Sequence, residues 1–139
     1  MSGDFVDSNV LVYFVDLASP EKRAIARSLI GDLLERGDAH ISFQVVQETL
    51  NVITRKFQTT VPPDDARQFL QDVLVPLWTV MPTRMLYERA LMIHGRYGYS
   101  FYDALIVAAA LAAGCTRLYS ENLQHGQRIE SLTIQNPFA

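Results

Sequence analysis

The stretch Asp4-Phe-Val-Asp-Ser-Asn-Val-Leu-Val-Tyr-Phe14 is an apolar run interrupted by an acid, Asp7. Its first part, Phe5-Val6, predicts a short buried strand that Asp7 follows directly. A carboxylate beside an apolar core either raises its own pKa or finds a partner. Taken alone, Asp7 is most simply the cap of a turn or of a following helix. The alternative is a functional acid at the end of a strand.

Strands and helices alternate along the rest of the chain. Short apolar strands are predicted at 39–42, 77–81 and 118–119, with a fifth at 133–134, and helices at 20–36, 43–57, 63–73, 83–97 and 101–113. This alternation is typical of an α/β fold with a mainly parallel sheet of four to five strands that helices cover on both faces. In such sheets, functional sites form beyond the carboxyl ends of the strands, where Asp7 and the segment Ser120-Glu-Asn122 are expected.

Composition limits the possible classes of protein. The 139 residues predict one domain, 1–139, with 49% hydrophobic and 19% charged residues and a net charge of -3. The acidic balance does not favour nucleic-acid binding, but it leaves open a nuclease that holds phosphates through metal ions and local basic residues. The single cysteine, Cys115, cannot form an internal disulfide, which favours the reducing cytoplasm. No apolar run is long enough to span a bilayer, so no membrane partner is expected.

Two further acids lie beside apolar residues. Glu48 lies in the predicted helix 43–57, and Asp103 is the only charged residue of the segment 100–114. Each has an ordinary explanation: Asp103 has the capping-box spacing from Ser100, and Glu48 is a helix-flank acid that could be solvated or paired with Arg55. Three unpaired acids that converge would need a divalent cation to neutralise them, which makes the chain a candidate metal-dependent hydrolase.

Four segments stand out along the chain: Asp7-Ser-Asn-Val-Leu11, the helix around Glu48, Ser100-Phe-Tyr-Asp-Ala-Leu-Ile-Val107 and Tyr119-Ser-Glu-Asn-Leu-Gln-His-Gly126. In this order they resemble the PIN-domain family, in particular its VapC-type toxin branch. The resemblance implies a three-layer α/β/α sandwich with a short parallel sheet. It also implies an endoribonuclease dependent on Mg²⁺ or Mn²⁺, a homodimer, and a cognate antitoxin whose tail covers the active-site groove.

The family's acidic site corresponds to Asp7, Glu48 and Asp103, and its fourth acidic position is occupied here by Asn122. Asparagine keeps one acceptor oxygen but carries no charge, so it should weaken binding of a hard cation. The substitution is either natural or engineered. Glu121 is adjacent but is not expected to replace the missing charge, because neighbouring residues after a strand point apart.

The resemblance also assigns roles. Asp7, Asp103 and Asn122 would hold the metal, and Glu48 would orient or deprotonate the attacking water or hold a second metal. Hydrolysis would then leave a 5′-phosphate and a 3′-hydroxyl. Ser8, Asn9 and Ser120 could orient these ligands, with local bonding to the backbone as an equal alternative.

Residues that could contact RNA are less clearly marked. Basic side chains that could bind phosphates, and aromatic ones that could stack bases, are Arg55, Lys56, Arg84, Arg89, Arg96, Tyr97, Tyr99, Phe101 and Tyr102. Solvated helix faces explain most of the basic residues more simply, and core packing or a dimer interface is the simpler explanation of the aromatic ones. Gln124 and His125 are expected in a loop near the site, while His40 and His94 are expected to be structural or solvent-facing.

Two other functions stay open. A chain with Asn122 could be a catalytically degenerate module that binds RNA or protein without cleaving. A phosphodiesterase acting on DNA flaps ranks lowest, because the chain lacks the additional helical parts that thread DNA.

Overall fold

A parallel β-sheet forms the centre of the molecule, as the short apolar strands predict. The computed structural model of the protein describes residues 3–55 and 61–139. Its strands are β1 (Gly3–Val6), β2 (Ala39–Ser42), β3 (Trp78–Val80), β4 (Cys115–Tyr119), β5 (Arg128–Ile129) and β6 (Leu132–Gln135). Its helices are α1 (Ser8–Tyr13), α2 (Pro20–Arg36), α3 (Phe43–Arg55), α4 (Pro63–Phe69), α5 (Val75–Leu77), α6 (Arg84–Tyr97) and α7 (Phe101–Ala112).

The strands lie in the order β3-β2-β1-β4-β6-β5. All neighbours pair in parallel except β5, which runs antiparallel to β6. Helices flank this sheet, so the predicted α/β/α class is confirmed, with six strands where four to five were expected. The additional strand is β5, whose two residues are too short to produce a periodic pattern. Within the described ranges, every helix falls short of the length and apolar character that a bilayer crossing requires.

Local sequence signals set most helix ends. Pro20 opens α2, and Gly37 ends it in the left-handed conformation, with φ 73°. Thr83 caps α6 by accepting a hydrogen bond from Leu86 N at 3.1 Å. The predicted helix 43–57 is observed as far as Arg55, and its last residues, 56–57, lie outside the described residues.

The segment after Pro63 differs from the expectation. Helix α4 does not end at Val73 but continues through a π-helical turn, Leu70–Leu74, into α5. Because Pro76 has no backbone N–H, it cannot donate the regular helical hydrogen bond. The wider π-helical turn before it allows the helix to continue past this residue. Strand β3 therefore begins at Trp78 rather than at Leu77.

Helices α6 and α7 differ in burial. On α6, Leu86, Ala90 and Ile93 are buried, whereas Met85 and Met92 are 79% and 73% exposed. Helix α7 is the opposite case, because its residues from Ala104 to Ala110 are all buried. Its small side chains let the helix pack closely against the sheet, which fixes the position of its first turn and of Asp103.

Candidate active site

Asp7 lies where β1 ends and α1 begins. Its backbone N donates to the carbonyl of Tyr119 at 2.9 Å, so the carboxyl ends of the parallel strands β1 and β4 meet at this residue. Its side chain caps α1 by accepting from Ser8 N at 2.7 Å. The capping role that the sequence suggested is therefore present. The residue is nonetheless only 6% exposed, so its carboxylate lies in the interior of the protein.

Three short polar side chains surround the Asp7 carboxylate. Ser120 Oγ donates to Oδ2 at 2.8 Å, and Asn9 Nδ2 donates to the same oxygen at 3.2 Å. Ser8 Oγ lies 3.4 Å from Oδ1. Ser120 is itself fully buried and follows β4 directly, so the two strand ends hold each other through this bond.

Glu48 reaches the same region from α3. Its Oε1 accepts from Ser8 Oγ at 3.1 Å, and its Oε2 accepts from Gln44 Nε2 at 3.3 Å. Because Ser8 contacts both acids, it joins Glu48 to Asp7. The pairing with Arg55 that the sequence left open is not formed, since Arg55 donates to Asn51 Oδ1 instead.

Asp103 lies in the first turn of α7. Its backbone N donates to Ser100 Oγ at 3.2 Å, which is the cap that the spacing indicated. Gln44 Nε2 donates to the carbonyl of Tyr102 at 3.1 Å and so ties α3 to the start of α7. Sequence reasoning missed this bridging role of Gln44, although its position four residues before Glu48 places both on one helix face.

The electrostatics link the three acids. The pKa of Asp7 is raised from 3.8 to about 6, mainly by burial and to a smaller extent by the charges of Glu48 and Asp103. The hydrogen bonds from Ser120 and from Ser8 N act in the opposite direction. None of the ion pairs within residues 3–55 and 61–139 includes one of these three acids. The structure thus brings them into one region that lacks a compensating cation among the described side chains.

The loop after β4 carries Glu121 and Asn122. Glu121 N donates to Asn9 Oδ1 at 3.0 Å, while its carboxylate accepts from Tyr13 OH at 2.8 Å and from Lys22 Nζ at 2.5 Å. Asn122 is exposed, and the described side chains that contact Asp7 do not include it. The Glu121 carboxylate is therefore held by α1 and α2. This network around Tyr13 and Lys22 had no signal in the sequence.

The basic side chains singled out from the sequence are mostly engaged elsewhere. Arg84 pairs with Glu88, Arg89 pairs with Glu130, and Arg96 lies over the ring of Tyr97. Lys56 lies outside the described residues.

The aromatic residues before Asp103 separate into two groups. Tyr97, Tyr99 and Phe101 are partly buried against the core, whereas Tyr102 is 66% exposed.

The three histidines and Gln124 have mainly structural surroundings. His125 Nδ1 accepts from Asn136 N, His40 lies against Thr79 Oγ1, and His94 lies against the carbonyl of Tyr99. Gln124 is exposed in the loop after β4.

The carboxylates do not form a tight ligand cluster. Across residues 3–55 and 61–139, no group of three or more His, Cys, Asp or Glu side chains is gathered closely enough to hold a metal ion. Mg²⁺ typically keeps several waters and takes only one or two carboxylates, so its binding does not require such a cluster. The buried Asp7 carboxylate, close to two further acids, has the oxygen chemistry that suits this ion.

Comparisons with known proteins agree with this geometry. A family model described as PIN domain matches residues 5–127. The chain belongs to the PIN domain family. No curated protein has a sequence that matches the chain significantly.

Solved structures share the fold of this PIN domain. One is Mycobacterium tuberculosis VapC20, described as a sarcin-ricin loop cleaving toxin, with TM-score 0.64 and 21% identity over 86% of this chain and 90% of that chain. A toxin–antitoxin complex from Klebsiella pneumoniae has TM-score 0.68 and 16% identity over 97% and 98% of the two chains. FitAcB from Neisseria gonorrhoeae has TM-score 0.65 and 15% identity over 97% and 98%. At these identities the likeness concerns the fold.

Proposed function

We propose that this PIN domain is a metal-dependent endoribonuclease of the VapC type, the toxin of a type II toxin–antitoxin pair. The observation that carries the proposal is the buried Asp7 carboxylate, whose pKa is raised by burial and by the neighbouring charges of Glu48 and Asp103. Family membership supports it, as do similar structures described as an RNA-cleaving toxin and as a toxin–antitoxin complex.

Mg²⁺ or Mn²⁺ is the proposed cofactor. Asp7 and Asp103 would hold the ion directly or through its waters, and Asn122 would supply a neutral oxygen if its loop turned toward them. When bound, such an ion supplies charge neutralisation and polarisation of the phosphodiester. The family resemblance assigns these ligands, and the shared electrostatics of Asp7 and Asp103 support the first two.

The protein's own residues have distinct tasks in this proposal. Ser120 and Asn9 hold the Asp7 carboxylate in one orientation through bonds of 2.8 and 3.2 Å. Glu48, fixed by Ser8 and Gln44, orients the attacking water and takes its proton. The water oxygen bonds to phosphorus as the bond to the 3′ oxygen breaks. The products are a 5′-phosphate and, after protonation of the leaving oxygen, a 3′-hydroxyl.

Cleavage of RNA in the presence of Mn²⁺ tests the proposal. We expect the protein to cleave total RNA, EDTA to stop it, and Asp7→Asn to abolish it. Asp32→Asn, which changes an exposed carboxylate on α2, is the matched control and should cleave normally. If Asp7→Asn cleaves as well as the control, then Asp7 is not part of the catalytic machinery.

A second function is favoured by one observation. Asn122 is neutral and exposed, and the described acids form no tight group of three, which suits a degenerate module that binds RNA or protein without cleaving it. Comparison with Asn122→Asp separates the two functions. Cleavage by both proteins means that asparagine is tolerated, and cleavage by the variant alone means that the native chain is weakened. Absence of cleavage by both favours the binding module.

The proposed partners follow from the same assignment. The protein would act on RNA in the cytoplasm as a homodimer, and an antitoxin would inhibit it by covering the acidic region. A basic side chain of the antitoxin would complement Asp7, Glu48 and Asp103, because none of them has a cationic partner among the described residues. Co-purification of the protein with the product of an adjacent gene, and loss of cleavage in that complex, would test this partner.

A further inference from the structure

A wide-mouthed pocket lies next to the proposed site, on the surface between α3 and the start of α7. It has a volume of about 310 Å³ and is lined by Gln44, Gln47, Glu48, Asn51 and Tyr102. This volume is at the lower end of the range of roughly 300–1,000 Å³ for small-molecule sites. Because Glu48 belongs both to the pocket and to the acidic site, a group bound here would adjoin the scissile phosphodiester.

The pocket wall contains a buried acceptor that lacks a donor. Gln44 is 4% exposed, and its Nε2 donates to Glu48 Oε2 and to the carbonyl of Tyr102. These two acceptors fix the orientation of the amide, because the reversed amide would set its oxygen against both of them. The remaining atom, Gln44 Oε1, is buried and has no hydrogen-bond partner among the described residues. Because this atom is closed to solvent, a ligand N–H would reach it only after a shift of the Gln44 side chain.

The rim of the pocket combines one aromatic ring with two amides. Tyr102 is 66% exposed and so presents a ring face to solvent. Gln47 and Asn51 are both exposed and lie four residues apart, on one face of α3. Proteins recognise an unpaired base by stacking it on an aromatic ring and by hydrogen bonds from polar side chains to its edge. The exposed ring of Tyr102 and the amides beside it have this chemistry.

Charge and hydrogen bonding narrow the choice of ligand. The Glu48 carboxylate in the wall disfavours a phosphate inside the pocket, which leaves the base as the group that enters. Glu48 accepts from Ser8 and from Gln44, and the proposed mechanism commits its carboxylate to the attacking water. The recognition groups left for a base are the amide of Gln47 and Nδ2 of Asn51, whose Oδ1 accepts from Arg55 at 3.4 Å. Amide side chains pair best with adenine, by accepting from its amino group and donating to its ring nitrogen.

We infer that this pocket binds one unpaired adenine of the RNA strand, stacked on Tyr102 and read by Gln47 and Asn51. The inference rests on the proposed function for its substrate class. It makes Gln47, Asn51 and Tyr102 specificity-determining residues, which hold the base next to the bond that Glu48 and Asp7 act on.

Binding is tested by fluorescence anisotropy without divalent ions. The probes are a labelled oligouridylate and the same oligouridylate with one central adenosine, in EDTA at low salt. Both carry the same charge, so repulsion by the acidic site affects them equally and cancels in the comparison. We expect the adenosine to increase affinity about tenfold, within the range of a good amide–adenine contact.

Variants separate stacking from edge recognition. Tyr102→Leu should weaken binding of both probes and Tyr102→Phe should keep it, because only the ring is needed. Gln47→Ala with Asn51→Ala should remove the preference for adenosine. Gln71→Ala, an exposed amide outside the pocket lining, should leave that preference intact. All four substituted positions are exposed, so the variants are expected to share the melting temperature of the parent protein.

The outcomes keep the two proposals apart. Equal affinity for both probes, or a preference that survives Gln47→Ala with Asn51→Ala, would overturn the adenine site even if Mn²⁺-dependent cleavage is found. An adenosine preference that these variants remove would support the site even if no cleavage occurs, and the nuclease proposal would then fail alone. Absence of binding by either probe would also overturn the site.

Discussion

Strand β1 and the residue that follows it carry two buried acids, Asp4 and Asp7, whose neutralisation should have opposite effects on stability. Asp4 is 3% exposed and pairs with Arg36 and Arg117, whereas Asp7 is 6% exposed and has hydroxyl and amide partners only. We expect Asp7→Asn to raise the free energy of unfolding at neutral pH in the absence of metal. Asp4→Asn should lower it, because that change weakens a doubly paired buried carboxylate.

The magnitude follows from the pKa of Asp7. Each unit of difference between the pKa in the folded state and the pKa in the unfolded state corresponds to about 1.4 kcal/mol in the free energy of unfolding. A rise from 3.8 to about 6 therefore means that the ionised Asp7 destabilises the fold by about 3 kcal/mol at pH 7. The folded state binds the proton more tightly than the unfolded state. The destabilisation is therefore absent below about pH 4, the pKa of Asp7 in the unfolded chain. It develops as the pH rises from about 4 to 6 and is complete above about pH 6.

Replacement by asparagine removes the charge but also disturbs the bonding. The amide oxygen can still cap α1, but the amide nitrogen faces the donors Asn9 Nδ2 and Ser120 Oγ. Loss of these bonds costs about 1–2 kcal/mol, so the net gain at pH 7 is about 1–2 kcal/mol. The pH dependence is the better test, because the cost of the lost hydrogen bonds is the same at pH 4 and at pH 7 and cancels in the comparison. The difference in stability between Asp7→Asn and the parent protein should rise by about 2–3 kcal/mol from pH 4 to pH 7.

Urea unfolding in EDTA at pH 4, 5, 6 and 7 measures this difference for the parent, Asp7→Asn and Asp4→Asn. The expected loss for Asp4→Asn is about 2 kcal/mol at pH 7, the size of hydrogen bonds to a charged group. Parallel pH profiles for Asp7→Asn and the parent would refute the reasoning, because they would mean that Asp7 has an ordinary pKa. Added Mg²⁺ should stabilise the parent protein but not Asp7→Asn.

Two substitutions and one labelling experiment test other parts of the structure. Ser120→Ala removes a bond that lowers the pKa of Asp7, so urea unfolding should show a loss of about 2 kcal/mol at pH 7 and a smaller loss at pH 4. Leu11→Ala should cost about 2–5 kcal/mol in the same assay, since Leu11 is fully buried on α1. Burial raises the pKa of the Cys115 thiol to about 12, so a thiol reagent at pH 8 should label it only after urea unfolds the protein.

Strands and helix ends could be predicted where the sequence has its own local signal. Strand β2 and helix α2 were predicted at their observed bounds, and Pro20 and Gly37 mark the two ends of α2. Helix α6 was predicted from Thr83, which caps it from outside. Helix α1 was missed because six residues are too few for a helical period, and Val10-Leu-Val-Tyr-Phe14 is equally typical of a strand. What starts α1 is its cap, Asp7, whose side chain bonds to Ser8 N.

Long-range contacts set the features that the sequence could not show. The strand β5 exists because it pairs with β6, across a turn in which Glu130 takes φ 55° without the glycine that usually marks such hairpins. The exposure of Met85 and Met92 likewise depends on which side of α6 meets the core. For the acidic region, the sequence supplied the three acids in order along the chain. The contacts of Ser8 and Gln44, which join the elements that carry them, required the structure.

The loop after β4 shows why a neighbouring acid does not restore the charge that Asn122 lacks. Glu121 is bonded by Tyr13 and by Lys22, and the Lys22 ammonium also lies 4.8 Å from the centre of the Tyr13 ring. Turning Glu121 toward Asp7 would break both bonds and leave Lys22 without its carboxylate. The same bonds hold Glu121 N against Asn9, which in turn orients Asp7. A metal ion at Asp7 would therefore meet the charges of Asp7, Glu48 and Asp103 only. Asn122→Asp should consequently strengthen Mn²⁺ binding without any movement of Glu121, and equal Mn²⁺ affinity of the two proteins in calorimetry would show that residue 122 lies outside the ligand set.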